Sequence, residues 1–355
     1  MKRILITGGM GFVGSNLASA LKLKYPEYSI IAFDNLKRRG SELNINRLVN
    51  KGITFIHGDI RNKTDFEEIG KIDCIIDAAA EPSVLAGIDS STEYLIDTNL
   101  NGTINTLYFA KKHKSDFIFL STSRIYPISQ LEKIEVIEKE NRIEIAEKQS
   151  IQGISSYGIS ENFPIEGARS YYGATKLASE LFVKEFNQFA GIRTVINRCG
   201  VIAGPWQMGK IDQGVTVLWV ARHFWKKSLS YIGYGGTGKQ VRDALHINDL
   251  FDLVDWQIHN IDNINGETFN VGGGVKCSFS LKELTQFCQQ ITGNTINIGS
   301  VKENREGDIR LYLTDNTKVN RLCGWTPKTS INTLVKDVYE WIINNETQLS
   351  NILNN

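Results

Sequence analysis

A glycine-rich turn between an apolar strand and an amphipathic helix opens this chain and constrains its fold more than any other feature. Ile4 to Ile6 form a short apolar run, Thr7 to Ser15 read TGGMGFVGS, and apolar residues recur at helical spacing from Val13 to Leu23. Glycines allow a tight turn and a close approach of the backbone, and a helix N-terminus favours a phosphate. The opening therefore predicts a cradle for the pyrophosphate of a dinucleotide.

The next strand signal predicts which dinucleotide is bound. The apolar run Tyr28–Phe33 ends in Asp34. A carboxylate at this place accepts a hydrogen bond from the ribose 2′-hydroxyl and repels a 2′-phosphate, which favours NAD over NADP. The basic residues Lys37, Arg38 and Arg39 weaken that preference without reversing it.

Composition excludes several classes of protein. The 355 residues carry 40 Lys and Arg against 39 Asp and Glu, so no net field attracts nucleic acid or a membrane surface. No signal peptide and no membrane span are expected. Five scattered cysteines without CxxC spacing indicate a reduced, cytoplasmic protein. The five histidines show no metal-binding spacing, so we expect no metal.

Strand and helix patterns alternate along the chain, which predicts an α/β fold. The expected architecture is a doubly wound parallel Rossmann sheet with a smaller C-terminal substrate-binding region. Further strands are expected at Thr54–His57, Cys74–Ala78, Phe117–Ser121, Thr194–Arg198 and Thr268–Val271, and long helices at Ser91–His113 and Tyr171–Ala190.

We predict two domains. Residues 1–200, with a return segment at about 243–274, form the NAD-binding Rossmann domain, and residues 201–242 and 275–355 bind the substrate. The segment Pro127–Arg169 interrupts the alternating pattern, and so long a connection is usually functional or mobile. Its charged run Lys133–Lys148 is interpreted as a solvated surface or as a charged lid.

The predicted catalytic groups are Tyr172 and Lys176, which lie four residues apart and therefore share one face of a helix. An ammonium beside a phenol lowers the pKa of the phenol, so Tyr172 can act as the base for a sugar hydroxyl. A third group must orient that hydroxyl. The strand Phe117–Leu120 delivers the hydroxyl residues of Ser121–Ser123 to the carboxyl edge of the sheet, where ligands bind in such folds.

Together these features resemble the extended short-chain dehydrogenase/reductase family of nucleotide-sugar epimerases and dehydratases, over nearly the whole chain. Besides TGGMGFVGS and the Tyr172–Lys176 pair, the matching motifs are HGDIRN at His57–Asn62, NLNGT at Asn99–Thr103, GTGKQVRDALHINDL at Gly236–Leu250, FNVGGG at Phe269–Gly274, REGDIR at Arg305–Arg310 and LCGWTP at Leu322–Pro327.

The resemblance implies a set of cofactor-binding residues. They hold the pyrophosphate, the adenosine ribose, the adenine and the central part of NAD, and they are Gly8, Gly11, Phe12, Val13, Asp34, Asn35, Asp59, Ile60, Ala78, Ala79, Asn99, Tyr172 and Lys176. By the same resemblance Thr122 is the third catalytic residue, since it lies four residues before Tyr126.

The resemblance also implies that the substrate is a nucleoside-diphosphate sugar, with a CDP-sugar favoured, and that the enzyme is a homodimer. The implied substrate-binding residues are Ser123, Arg124, Gln213, Arg242 and Arg305. The two arginines would clamp the diphosphate, because a planar guanidinium donates two parallel hydrogen bonds to phosphate oxygens.

Within the family, the long segment before Tyr172, Gln213-Gly214 and the stretch GKQVRDALH resemble the enzymes that invert C2 of a CDP-deoxyhexose for surface polysaccharide synthesis. Asp77 departs from the family pattern, which usually has histidine there. Asp77 and Arg124 are expected near the pocket, so a different sugar or reacting carbon stays open.

Several functions remain as alternatives. The first is an epimerase with tightly held NAD; a 4-epimerase, a 4,6-dehydratase and a 4-reductase are its rivals. The dehydratase chemistry needs an acid and a base after the catalytic threonine, and Ser123-Arg124 occupy those places. A non-catalytic NAD sensor would lose Tyr172 or Lys176, and this chain keeps both.

Two further residues have alternative interpretations. Cys199 is a buried apolar residue or an acid–base group, and His246 is a structural or substrate-lining residue or a catalytic acid.

Overall fold

The computed structural model describes residues 1–88, 90–209 and 213–354. Within these ranges the strands, numbered β1 to β17 in chain order, are Arg3–Thr7, Ser29–Asp34, Thr54–His57, Cys74–Asp77, Asp116–Thr122, Val136–Glu138, Ile143–Ile145, Ile154–Ser155, Gly158–Ile159, Thr194–Cys199, Val201–Ala203, Leu229–Ile232, Val241–His246, Thr268–Val271, Ser278–Ser280, Ile298–Val301 and Leu311–Tyr312.

The α-helices in the same ranges, numbered α1 to α12, are Phe12–Lys24, Asn44–Val49, Thr92–Ile96, Gly102–His113, Ile128–Leu131, Tyr171–Ala190, Val215–Phe224, Ile247–Asn260, Leu281–Thr292, Thr317–Cys323, Ile331–Asn344 and Glu346–Leu353. They alternate with the strands of the N-terminal part, as the sequence predicts. The chain divides into two compact units. The first comprises residues 1–125, 171–198 and 251–269, and the second comprises residues 126–170, 199–250 and 270–355.

A seven-stranded sheet has the strand order β14-β10-β5-β4-β1-β2-β3. β1 pairs in parallel with β2 and β4, β2 pairs with β3, and β4 pairs with β5. The strand order therefore reverses between β1 and β4, and in open α/β sheets ligands bind beside such a switch point at the carboxyl ends of the strands. The predicted doubly wound Rossmann sheet is confirmed.

The core of the first unit consists of the apolar side chains that the strand patterns supply. Leu5, Phe33, Ile75 and Phe117 are fully buried and belong to one cluster with Phe66, which lies in a short turn after β3. Burial of each such side chain stabilises the fold by about 1.5–3 kcal/mol. The resulting rigid sheet holds the loops after β1, β4 and β5 in place.

The predicted helix Ser91–His113 is interrupted. α3 ends at Ile96, a π-helical turn covers Asp97–Asn101, and α4 begins at Gly102. A π turn inserts an extra residue into the helix, and such turns are frequent at functional sites. Hydrophobic periodicity did not reveal this turn, in which Leu100 is the one apolar residue.

The second unit contains its own sheets and a helical layer. β13 lies between β11 and β15 and also pairs with β17, and β12 pairs in parallel with β16. The helices α7, α9 and α11 pack against one another. α9 begins with a capping box, in which the Ser280 hydroxyl accepts a hydrogen bond from Glu283 N–H and the Glu283 carboxylate accepts one from Ser280 N–H.

The segment Pro127–Arg169 is folded, with α5 followed by the hairpins β6–β7 and β8–β9. Ile143 N–H donates to the Lys239 carbonyl at 3.1 Å, and Ile159 N–H donates to the Leu313 carbonyl at 2.8 Å. Both contacts lie within the second unit. This segment is therefore attached to the rest of its unit by backbone hydrogen bonds at two places.

Charges of the run Lys133–Lys148 form ion pairs within the second unit. Glu138 lies 2.7 Å from Lys239, and Arg142 lies 3.3 Å from Glu283. Some charged side chains of the run are therefore held in ion pairs, while others are exposed to solvent.

Candidate active site

The turn after β1 has the geometry of a phosphate cradle. Gly8 has φ +62°, and a Cβ placed on it would lie 2.8 Å from Ala79 Cα. A Cβ on Gly14 would lie 2.3 Å from the Gly8 carbonyl oxygen. Both positions therefore require glycine. α1 begins at Phe12, followed by Val13, and its N-cap Gly11 offers no side-chain cap to the first turn, which also lacks an acidic residue. An anionic phosphate fits this helix N-terminus.

Asp34 ends β2 beside this turn and is held by backbone donors. Its Oδ2 accepts from Met10 N–H at 3.0 Å and its Oδ1 from Leu36 N–H at 2.8 Å. Burial raises the pKa of Asp34, while these N–H bonds lower it. The carboxylate is fixed in orientation, and its remaining lone pairs suit a ribose hydroxyl. The donor set therefore fits a bound NAD.

The predicted adenine-side residues form a hydrogen-bonded group. Asn35 Nδ2 donates to Asp59 Oδ2 at 2.9 Å, and the Arg61 guanidinium also binds this carboxylate, at 2.6 Å. Burial alone would raise the pKa of Asp59, but the bonds from Arg61 and Asn35 lower it to about 2. Ile60 is buried and its side chain packs against Gly102. The Asn35 amide is thus engaged in orienting Asp59.

A hydroxyl network links the ends of β1 and β4. Thr7 Oγ1 accepts from the N–H groups of Ala78 and Ala79, each at 3.2 Å, and donates to Asp77 Oδ1 at 2.5 Å. Thr103 Oγ1 lies 3.1 Å from Asp77 Oδ2. The predicted groove residues Ala78 and Ala79 are therefore fixed by a threonine that the motif analysis did not single out.

The π-helical turn places Asn99 against the loop that follows β4. Asn99 Oδ1 accepts from Glu81 N–H at 2.7 Å, and its Nδ2 donates to the Glu81 carbonyl at 3.1 Å and to Thr175 Oγ1 at 3.3 Å. Thr175 Oγ1 in turn donates to the Tyr172 carbonyl at 2.9 Å. Asn99 therefore joins this loop to the start of α6.

Thr122 ends β5 and is buried. Its Oγ1 accepts from Arg124 N–H at 3.2 Å, which fixes the side chain and leaves its own proton for donation. Ser123 is buried in the short turn that follows, and Arg124 is half-buried there. All three residues lie at the carboxyl end of β5 in the first unit.

Tyr172 and Lys176 lie on the first turns of α6, whose predicted bounds Tyr171–Ala190 are confirmed. Tyr172 is half-buried, whereas Lys176 is only 2% exposed. The Lys176 ammonium lies over the Phe119 ring, 4.0 Å from its centroid. A cation at this distance is attracted by the ring face. The first unit thus carries Thr122, Tyr172 and Lys176.

A buried ion pair connects α6 with β5 and β10. Arg198 Nη2 donates to Glu180 Oε2 at 2.8 Å, and Ser121 Oγ donates to Glu180 Oε1 at 2.5 Å. Ser121 directly precedes Thr122, and Glu180 follows Lys176 by one helical turn. Sequence reasoning missed this pair. Its signal was a charged residue on the apolar face of a helix and another in an apolar strand.

The predicted substrate residues Gln213, Arg242 and Arg305 belong to the second unit and are half-buried. Arg242 Nη2 lies 2.9 Å from Asp308 Oδ1, and its guanidinium also donates to the Ile309 carbonyl. Asp308 N–H donates to the Arg305 carbonyl at 3.3 Å. The motif REGDIR therefore orients Arg242 and links it to Arg305.

The remaining candidate site residues are Cys199 and His246. Cys199 is buried and forms no disulfide with another described cysteine, and its role stays a prediction. His246 Nδ1 accepts from Asn248 N–H at 3.1 Å, and its Nε2 lies 3.4 Å from Asp337 Oδ2. Burial lowers the pKa of His246, and the charge of Asp337 opposes this. These contacts favour the structural interpretation of His246.

Among the described residues, no group of three or more His, Cys, Asp and Glu side chains could hold a metal ion. In the same part of the chain, no helix is both long enough and apolar enough to cross a membrane.

Comparison with known proteins finds relatives that match nearly the whole chain. The sequence profile of the NAD dependent epimerase/dehydratase family matches residues 4–272. The chain is 31% identical to the CDP-paratose 2-epimerase of Salmonella typhi, over 96% of this chain and 98% of that one. It is 29% identical to a putative UDP-glucose 4-epimerase of Methanocaldococcus jannaschii, over 96% and 99% of the two chains.

A solved structure shares the fold along its whole length. The UDP-glucuronic acid 4-epimerase of Bacillus cereus, in complex with UDP-glucuronic acid and NAD, superposes with a TM-score of 0.79 at 26% identity. The match covers 96% of this chain and 99% of that chain. The chain therefore belongs to the NAD-dependent epimerase/dehydratase family and is an NAD-dependent nucleotide-sugar enzyme of the epimerase type.

Proposed function

We propose that this enzyme inverts C2 of a CDP-deoxyhexose through a transient keto sugar, as part of surface polysaccharide synthesis in the cytoplasm. The observation that carries the proposal is the 31% identity to a CDP-paratose 2-epimerase along nearly the whole of both chains. The three predicted catalytic side chains support it, because Thr122, at the carboxyl end of β5, and Tyr172 and Lys176, on α6, all occur in the first unit.

In this proposal the NAD would be held by the cofactor-binding residues that the sequence predicts. They are Gly8, Gly11, Phe12, Val13, Asp34, Asn35, Asp59, Ile60, Ala78, Ala79, Asn99, Tyr172 and Lys176. When bound, NAD supplies a hydride acceptor that later returns the hydride, so no net oxidation results. The phosphate cradle at Gly8 and Gly14 and the fixed carboxylate of Asp34 support this assignment.

Thr122 orients the reacting hydroxyl of the sugar, and Tyr172 transfers its proton. The Thr122 hydroxyl accepts the Arg124 N–H, so it donates its proton to the reacting sugar oxygen and orients it. Tyr172 in its phenolate form takes the proton of the same hydroxyl as the carbonyl forms, and gives it back when the carbonyl is reduced. Inversion requires the keto sugar to present its other face before that reduction.

Lys176 supplies the positive charge that favours the phenolate of Tyr172. The two residues are one helical turn apart, so their side chains share a face of α6. Burial of Lys176 strengthens this effect, because charges interact more strongly where water is excluded.

The nucleotide sugar is bound by Arg242 and Arg305, which clamp the diphosphate, with Gln213, Ser123 and Arg124 as further contacts. The Asp308 carboxylate supports this assignment, because it holds the Arg242 guanidinium in a fixed plane. Bidentate binding of a phosphate requires such a fixed plane.

The segment Pro127–Arg169 holds the sugar in the pose that brings C2, instead of C4, to Tyr172. It connects the strand that ends at Thr122 with the helix that carries Tyr172. Its backbone bonds to Lys239 and Leu313 support a positioning role, since a segment tied at two places can hold side chains in defined positions.

The enzyme works as a homodimer in this proposal. On α6, Phe182, Phe186 and Phe189 lie at helical spacing on one face, and Phe182 and Phe189 are exposed. The ring of Tyr108, on α4, packs edge-on against Phe186 with 5.4 Å between centroids. An exposed apolar stripe of this kind favours association, and analytical ultracentrifugation measures it.

The test of the proposal is product analysis. Purified enzyme is incubated with a panel of CDP-, UDP- and GDP-sugars, and NMR of the products shows which carbon has changed configuration. Inversion at C2 of a CDP-sugar supports the proposal. Inversion at C4 of a UDP-sugar, or loss of water to a 4-keto-6-deoxy product, replaces it with the 4-epimerase or dehydratase function.

A further inference from the structure

Three residues on neighbouring strands form a row beneath the catalytic helix. Thr7 of β1, Asp77 of β4 and Phe119 of β5 are direct register partners. Side chains of such partners in a parallel sheet point to the same face, and the hydrogen bond from Thr7 Oγ1 to Asp77 Oδ1 confirms this for the first two. The Lys176 ammonium lies over the ring of Phe119 on this face. The Asp77 carboxylate and the Lys176 ammonium therefore occupy one layer.

Both charged groups of this layer are removed from water. Asp77 is 0% exposed and Lys176 is 2% exposed. A single buried charge is costly, whereas two opposite buried charges compensate each other when their other polar atoms are hydrogen-bonded. Burial raises the pKa of Asp77, and the charge of Lys176 and the hydroxyls of Thr7 and Thr103 oppose that rise.

The hydrogen bonds around Asp77 suit an ionised carboxylate. Thr7 Oγ1 accepts the N–H groups of Ala78 and Ala79, so its own proton is directed to Asp77 Oδ1. Thr103 Oγ1 lies 3.1 Å from the other oxygen and 3.0 Å from the Asn99 carbonyl oxygen, so its one proton is shared between these two acceptors. The group from α6 that faces Asp77 with a charge is Lys176, while β1 and α4 present neutral hydroxyls.

We propose that Asp77 is a positioning residue, whose ionised carboxylate keeps the buried Lys176 ammonium charged and in place over the Phe119 ring. The catalytic part of this inference rests on the proposed function, in which Lys176 favours the phenolate of Tyr172. Asp77 touches neither sugar nor cofactor in this role and acts through Lys176 alone.

The test measures the ionisation of Lys176 directly and needs no substrate. The full chain is labelled with ¹³C at lysine Cε and followed by NMR across pH, and the Lys176 signal is the one absent from Lys176→Met. In the wild type, Lys176 should stay protonated well above neutral pH. In Asp77→Asn it should titrate about one pH unit or more lower, as expected when an adjacent opposite charge is removed.

A matched control is Asp116→Asn. Asp116 is also a buried carboxylate, at the other end of β5, and its partner is Arg193 at 2.7 Å. This variant should leave the titration of Lys176 unchanged. Equal titration of Lys176 in the wild type and Asp77→Asn would overturn the proposal. A wild-type Lys176 that is neutral near pH 7 would also overturn it, whether or not the variant folds.

Turnover distinguishes this inference from the proposed function. In Asp77→Asn, kcat should fall on the alkaline side of the pH profile while KM stays near the wild-type value, because a charge on Lys176 is lost and no sugar contact is removed. If no nucleotide sugar reacts with the wild type, the proposed function fails, and the NMR titration still decides the role of Asp77.

Discussion

The buried pair Glu180–Arg198 gives a quantitative prediction about how the catalytic helix is held. Glu180 is fully buried and Arg198 nearly so, and Arg198 makes hydrogen bonds of 2.8 to 3.1 Å to the carboxylate. Arg198→Met leaves the Glu180 charge buried with the Ser121 hydroxyl as a remaining donor. Loss of one partner of such a pair costs about 3–5 kcal/mol of the free energy of unfolding.

The double variant Glu180→Met/Arg198→Met should recover much of this loss. Replacing both ions with apolar side chains of similar size is often neutral or stabilising, because the desolvation cost of both charges disappears. We therefore expect the double variant to be about 2 kcal/mol or more stable than Arg198→Met. Urea unfolding followed by circular dichroism, at one fixed NAD concentration, measures the difference.

Two results would refute this reasoning. If Arg198→Met costs less than about 1 kcal/mol, the pair is not effectively buried. If the double variant loses as much as the sum of the two single variants, Glu180 and Arg198 are not coupled.

Three further predictions concern catalysis, binding and pH. Tyr172→Phe should lower kcat by about 10²–10⁴-fold with near-normal binding of NAD and sugar, and wild-type turnover would refute its role. Arg242→Ala and Arg305→Ala should weaken nucleotide-sugar binding in calorimetry and leave NAD binding unchanged; a main effect on NAD would contradict the diphosphate clamp. Burial raises the pKa of Asp243 to about 6, from an ordinary value of 3.8. Its stabilising proton uptake is therefore lost as pH rises through 6, so wild-type stability should fall between pH 4 and 7 relative to Asp243→Asn, and equal pH profiles would contradict this.

Local patterns were sufficient for most of the first unit. The strands Thr54–His57 and Thr268–Val271 and the helix Tyr171–Ala190 have the bounds that periodicity predicts. The helix is long and amphipathic, and the two strands are rich in β-branched and aromatic residues, so local preference and tertiary surroundings agree. The glycine turn was also predictable, because its motif is contiguous in the sequence.

Features that depend on distant contacts were not predictable. In the π turn at Asp97–Asn101, Asn99 binds Glu81, which is 18 residues away in the chain. The interruption of α3–α4 therefore has no local signal. Asp77 was noted as an unusual residue, but its bond to Thr7 and its place beside Phe119 follow from strand register.

The structure of the segment Pro127–Arg169 also depends on distant contacts and was not predicted from its local sequence. Its polar, charge-mixed sequence interrupts the alternating pattern and predicted a functional or mobile connection, without indicating the α5 helix and the two hairpins that it forms. The hairpin β6–β7 binds the backbone of Lys239, and Ile159 binds that of Leu313. These partners follow it by about 100 residues or more, so the tertiary contacts stabilise elements that the local sequence only weakly favours.

An isotope measurement tests the central claim, inversion at C2, most directly. The CDP-sugar that the enzyme converts is prepared with deuterium at C2 or at C4, and turnover is compared with that of the unlabelled sugar. Deuterium at C2 should slow turnover and appear transiently on the bound nicotinamide, and deuterium at C4 should do neither. An isotope effect at C4 alone would contradict the C2 assignment and favour a 4-epimerase or a dehydratase.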